Sequence, residues 1–92
     1  HLGVGCIEKS GNQLRLLYAD TLHAPRGEKL FARLSVLQSV LKKLLTELNP
    51  TVVAIEDIFY AKSVRSAMDL GTARGVIIGE CLGRGLTIHE YA

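Results

Sequence analysis

Seven leucines set the clearest rhythm in this chain. Leu30, Leu34, Leu37, Leu41, Leu44, Leu45 and Leu48 recur at spacings of three and four, which lays one apolar stripe along an amphipathic helix. Glu28 suits the first turn of that helix and Lys42-Lys43 its later part, given the helix dipole. Asn49-Pro50 ends it. On either side the period changes. Residues 2–8 read as a strand, and Lys9-Ser10-Gly11-Asn12 as a turn. Residues 14–22 alternate roughly between apolar and polar and read as the second strand of a hairpin. A loop follows over 23–27, with Pro25 and Gly27. Residues 51–55 form a nearly continuous apolar run rich in β-branched side chains, which fits a strand covered on both faces, as in a parallel sheet. A second helix is expected over 63–83 and a last strand over 86–91. The order β-β-α-β-α-β is an α/β pattern. The helical crossover predicts a mixed sheet in which 51–55 runs parallel to 86–91.

The second helix carries an unusual stripe. Gly71, Gly75, Gly79 and Gly83 recur every four residues, with Ala67 in register before them. An interior glycine costs about 1 kcal/mol against alanine. Glycines four apart share one face and form a smooth groove that another backbone can approach closely. That backbone is expected to be either the sheet beneath or a second copy of the helix. Asp69, Arg74, Glu80 and Arg84 exclude a membrane span.

Ninety-two residues make one small domain, of a length that is marginally stable alone. The 48% apolar and 22% charged content belongs to a globular protein rather than a disordered one. A net charge of +2 does not demand a nucleic-acid partner, although local clusters can still bind phosphate. Cys6 and Cys81 lie in apolar surroundings far apart in sequence, so buried free thiols are expected. No signal peptide and no run of 18 apolar residues is present, and a cytoplasmic protein without membrane contact is expected. The chain begins at His1 rather than Met and each end runs straight into a strand, as a piece of a longer protein would.

Candidate chemistry gathers after the third strand. Val52-Val53-Ala54-Ile55 ends on Glu56-Asp57, the only adjacent pair of carboxylates. Most strands end in turn residues instead. A carboxylate delivered at a strand end is a hard oxygen donor of the kind Mg²⁺ takes. The plainer reading is that both acids are the solvated end of a strand. Neighbouring strand residues point to opposite faces, so the two need not share a site. Two-metal phosphoryl chemistry holds ions about 3.5–4 Å apart, more than one carboxylate can do. Phe59, Tyr60, Lys62 and Arg65 follow closely. Cations of this kind touch phosphates, and an aromatic ring stacks on an unpaired base for about 1–3 kcal/mol. Equally, Phe59 can be core and the cations a solvated helix start. Arg74 has a plain reading as the partner of a local acid. His23 and His89 are lone histidines, no Ser/His/Asp or Cys/His arrangement can be argued, and Gly3-Val4-Gly5 lacks the third glycine of a dinucleotide fingerprint.

A resemblance sharpens this picture. Ala54-Ile55-Glu56, Phe59, Ala61-Lys62, Ser66-Ala67, Leu70-Gly71, Ala73-Arg74-Gly75 and Glu90-Tyr91-Ala92 resemble the central signature of the RuvC family of Holliday-junction resolvases. Gly3, Gly5-Cys6-Ile7-Glu8 and Gly11 resemble the hairpin that follows that family's first strand, Arg33-Leu34 its first helix, and Pro50 the turn into the next strand. The match covers essentially the whole chain and runs without gaps from Pro50 to Ala92.

The resemblance implies an α/β fold of the RNase H-like type, a mixed sheet flanked by helices. It implies a homodimeric endodeoxyribonuclease, dependent on Mg²⁺ or Mn²⁺, that nicks four-way junction DNA symmetrically in recombination and repair, with a branch-migration motor as a further partner. Glu56 matches a catalytic, metal-binding acid. Phe59 matches an aromatic that contacts DNA near the cleavage point, and Lys62 a basic position in the same loop; Arg65 joins them as a candidate DNA contact. Gly71, Gly75 and Gly79 are the candidate interface. The family's first strand, with its aspartate ligand, and its last helix, with two more ligands, have no counterpart in residues 1–92. The resemblance therefore implies a single RNase H-like domain lacking part of its site, inactive alone, with a gap between its hairpin and its parallel strands. Ser63 and Thr72 depart from the family's usual Asn and Gln. A non-catalytic module that binds DNA or pairs with a partner is the alternative.

Overall fold

The hairpin shows how closely local chemistry controls this fold. The computed structural model describes residues 2–22, 27, 29–57 and 62–92. Strands β1 (Leu2–Ser10) and β2 (Gln13–Leu22) pair antiparallel, with Ser10 opposite Gln13. Gly11 turns the chain with φ 60°, a left-handed value that glycine adopts without steric cost. A register shift falls between Cys6 and Ile7: Tyr18 faces Cys6 and Leu16 faces Ile7. Leu17 is the extra residue of a bulge, which bends the ribbon. Beyond it Ile7, Leu14 and Leu16 are exposed.

Helix α1 (Leu30–Leu48) carries out the leucine pattern. Leu41, Leu44 and Leu45 are buried, and Leu30, Leu34, Leu37 and Leu48 are half-buried. Asn49 stops the helix in the left-handed conformation, φ 46° and ψ 55°, and its N–H donates to the Leu45 carbonyl at 2.9 Å. Asparagine tolerates this cap position. The dipole expectation is corrected: the first turn of α1 holds no acid and the last turn no base. Lys42 and Lys43 sit one turn too early, and Glu28 lies outside the described residues.

Strand β3 (Val52–Glu56), helix α2 (Val64–Gly83) and strand β4 (Thr87–Tyr91) form the expected crossover. β3 and β4 are parallel, from Val52 opposite Thr87 to Glu56 opposite Tyr91. Ser63 caps α2: its hydroxyl oxygen accepts from the Ser66 N–H at 3.1 Å. The core joins Leu41 and Leu45 of α1 to Cys81 of α2, with Val53, Ile77, Leu86 and Ile88 packed against them. Polar ties reinforce the helix pair. Glu80 accepts from Gln38 at 3.2 Å and lies 3.7 Å from the Lys42 ammonium. Arg84 donates to the Lys42 carbonyl at 2.9 Å and to Thr46 Oγ1 at 3.0 Å.

The strands form two separate ribbons, β1-β2 and β3-β4, and among the described residues no strand lies between them to bond both, which is the gap expected between the hairpin and the parallel strands. Three expectations change. β3 is covered on one face only, because both helices lie on the same side. Val53 and Ile55 are half-buried while Val52 is 54% exposed. Cys81 is 1% exposed, but Cys6 on the hairpin is only half-buried. Burial, and next the Glu80 charge, pushes the Cys81 thiol above its ordinary pKa while Arg84 pulls the other way, so it stays protonated and unreactive. Finally, the glycine face of α2 does not rest on the sheet. Among the described residues, a Cβ at Gly71, Gly75, Gly79 or Gly83 would meet no heavy atom within 4 Å. The helix packs through Ile77 and Cys81 instead. Among the described residues no helix is long and apolar enough to cross a membrane.

Candidate active site

The parallel register decides which acids meet. Ile55 stands opposite Glu90, and Glu56 opposite Tyr91. Partners in a parallel pair project to the same side, and neighbours along a strand alternate. Val53 and Ile88 face the helices, where they join the core. Ile55 and Glu90, two residues further along, face the same way. Ala54 with His89, and Glu56 with Tyr91, therefore project from the open face, where Tyr91 is 53% exposed.

Asp57 extends the ladder by one bond, its N–H donating to the Tyr91 carbonyl at 2.8 Å. Its side chain turns toward the helices. There Arg74 Nη2 lies 3.5 Å from Asp57 Oδ1 and 3.0 Å from Glu90 Oε2. One guanidinium from α2 thus holds an acid from the end of each strand. The Arg74 side chain is 21% exposed, and both acids are more than half exposed. Solvent screening limits each pair to at most about 1 kcal/mol. Arg74 Nε is buried without a hydrogen-bond partner among the described residues.

Glu56 is left free by this arrangement. It is exposed, and its carboxylate makes no hydrogen bond or ion pair among the described residues. It remains a hard oxygen donor available to a cation. No three His, Cys, Asp or Glu among the described residues lie close enough to hold a metal ion. One carboxylate does not make a Mg²⁺ site, so these residues do not hold the ion by themselves.

The basic candidates stand apart from this cluster. Lys62 and Arg65 are exposed at the start of α2, and Arg65 lies 3.8 Å from Asp69 one turn on. Such a pair is weak and leaves the guanidinium accessible. Phe59 lies outside the described residues. Gly71, Gly75 and Gly79 form an exposed strip on α2. Sequence reasoning gave Arg74 a local acid but did not find two from different strands. The signal was present in the register: once Ile55 faces Glu90, Asp57 and Glu90 share a side.

A family model described as crossover junction endodeoxyribonuclease RuvC matches residues 1–92. The chain belongs to the RuvC family. The RuvC of Moorella thermoacetica is 33% identical over 90 residues, covering 98% of this chain and 54% of that protein. The RuvC of Heliobacterium modesticaldum is 35% identical over 89 residues, covering 97% and 55% respectively. The chain spans about half the length of the curated relatives it matches. Among solved structures, Thermus thermophilus RuvC in complex with a Holliday junction substrate superposes with a TM-score of 0.83 at 20% identity, over 97% of this chain and 55% of that one. A second T. thermophilus RuvC structure gives 0.76 at 23% identity. These likenesses establish the RNase H-like fold, and the hairpin, two helices and parallel pair are its parts.

Proposed function

We propose that Glu56 supplies one carboxylate of a divalent-metal centre. The complete gene product is then a structure-specific endodeoxyribonuclease that resolves four-way DNA junctions in recombination and repair. One observation carries this reading: in a chain of the RuvC family, Glu56 is the one acid at the end of the parallel pair that Arg74 does not engage. The relative bound to a Holliday junction supports the substrate class. Mg²⁺ or Mn²⁺, when bound, would activate water for attack on a phosphodiester. The remaining ligands come from outside residues 1–92. Lys62 and Arg65 contact phosphates, and Phe59 stacks on an unpaired base. The protein acts in the cytoplasm, and a branch-migration motor as partner rests on the family resemblance alone.

The test uses the complete gene product and an end-labelled synthetic four-way junction. Symmetric nicks in two strands are expected with Mg²⁺ or Mn²⁺, none with a chelator, and little cutting of linear duplex. Cleavage without a divalent ion, or equal cutting of duplex, would sink the proposal. Tight junction binding with no nicks would favour the non-catalytic module, which the commitment of Asp57 and Glu90 to Arg74 also suits.

The same reading makes the protein a homodimer paired through the glycine strip of α2. Gly75→Ala is expected to strengthen the isolated helix by up to about 1 kcal/mol, since glycine is the poorer helix former. A Cβ at Gly75 meets no atom within 4 Å among the described residues, so Gly75→Leu should preserve the fold while blocking close approach of a second helix. Sedimentation should then show monomers. A Gly75→Leu protein that stays dimeric removes the strip from the interface.

A further inference from the structure

Among the described residues, one charged group fastens the end of β3 to helix α2, and it is Arg74 rather than Glu56. Glu56 has no side-chain partner among the described residues, so the structure fixes where its Cα–Cβ bond leaves the strand and nothing beyond it. Two ties hold that backbone. The Asp57 N–H bonds to the Tyr91 carbonyl at 2.8 Å, and the Asp57 carboxylate reaches Arg74 at 3.5 Å. Arg74 also holds Glu90 at 3.0 Å, immediately before Tyr91. Both strands of the ladder that ends in Glu56 and Tyr91 are thereby drawn to one guanidinium on α2.

We infer that Arg74 is a positioning residue for Glu56, acting through Asp57 and Glu90 rather than touching DNA or metal. Its two contacts restrain the ends of both strands from the helix side, so that the strand end carrying Glu56 keeps one place on the open face. One nitrogen, Arg74 Nη2, reaches both acceptors, and the rigid planar guanidinium holds it there with less loss of freedom than an ammonium on a flexible lysine stem. Misplacement of a reacting group by about 1 Å can cost a hundredfold in rate. This inference rests on the nuclease reading of Glu56.

The experiment compares Arg74→Ala, Arg74→Lys and the paired Asp57→Asn/Glu90→Gln variant of the complete gene product. Single-turnover junction cleavage is followed across a Mg²⁺ titration. Junction affinity in Ca²⁺ and melting temperature are measured alongside. Arg74→Ala is expected to slow cleavage about 10–100-fold, to raise the Mg²⁺ concentration needed for half-maximal rate, and to leave junction affinity within about twofold. Arg74→Lys should recover part of the rate. The paired variant should reproduce the arginine defect, because it removes the same restraint from the other side. A loss of junction affinity in Arg74→Ala but not in the paired variant would make Arg74 a DNA contact and overturn the inference. So would a lower melting temperature with an unchanged Mg²⁺ requirement, which marks a purely structural role. Should Arg74→Ala fail to fold, the paired variant decides alone: normal cleavage there refutes positioning. Failure of the wild-type protein to cut junctions in Mg²⁺ would instead remove the nuclease reading itself.

Discussion

Glu56→Gln in the complete gene product is expected to lower junction cleavage by about 100-fold or more, the scale on which preorganised charged groups act in a transition state. The substitution keeps the size and one oxygen of the side chain but removes the charge that a hard cation requires. Its structural cost should be small. Glu56 is exposed at the last position of β3 and has no polar partner among the described residues, and substitutions at such positions usually change stability by no more than about 0.5 kcal/mol. Junction affinity should persist, since it rests mainly on contacts between cations and phosphates. A Glu56→Gln protein that cuts at close to the wild-type rate refutes the assignment. One that does not fold would favour the plainer reading of Glu56 as a structural strand end.

Leu45→Ala should cost the fold about 2–5 kcal/mol. Leu45 is 7% exposed and belongs to the small cluster with Leu41 and Cys81 that joins α1 to α2. Removing its isobutyl group leaves a void in a core with few other buried residues to collapse into it. Domain stabilities are only about 5–15 kcal/mol, so the loss is a large share of the whole. Urea unfolding should show a lower midpoint with an unchanged slope. Val36→Ala is the matched control, because Val36 is on the same helix but exposed. Equal destabilisation by the two substitutions would show that the Leu41–Leu45–Cys81 cluster is not the core that matters.

Much of this fold was legible in the residues because local signals agree with one another. Each leucine of the stripe is buried or half-buried in α1, Asn49 caps it, and the crossover from β3 through α2 to β4 follows from two apolar runs around a helix. What stayed hidden depends on contacts distant in sequence. A continuous run such as Val52 to Ile55 says that a strand can be covered twice, not that both helices lie on one side. Glycines four apart announce a smooth face without naming what meets it, and among the described residues nothing does. The same limit applies to the site. Glu56 was conspicuous as a carboxylate ending an apolar strand, yet the catalytic role proposed for it came from resemblance, since spacing alone left the plainer reading open. Alternation along the strand already set Glu56 and Asp57 on opposite faces, but that Asp57 shares its face with Glu90 needed the parallel register. Arg65 was expected at a phosphate and is found beside Asp69, a pairing that the i, i+4 spacing already allowed.

The separation of the strands into two ribbons has a practical consequence for anyone who prepares residues 1–92 by themselves. A two-stranded ribbon has two edges, so among the described residues the two ribbons present four rows of N–H and C=O groups that no neighbouring strand satisfies. Such rows are templates for pairing with other molecules. Ile7, Leu14 and Leu16 on the hairpin and Val52 on β3 add exposed apolar surface beside them. Concentration-dependent β-type association is therefore the natural failure of the isolated segment, and charged substitutions at Leu14 and Leu16, which are peripheral to the core, are the places to suppress it.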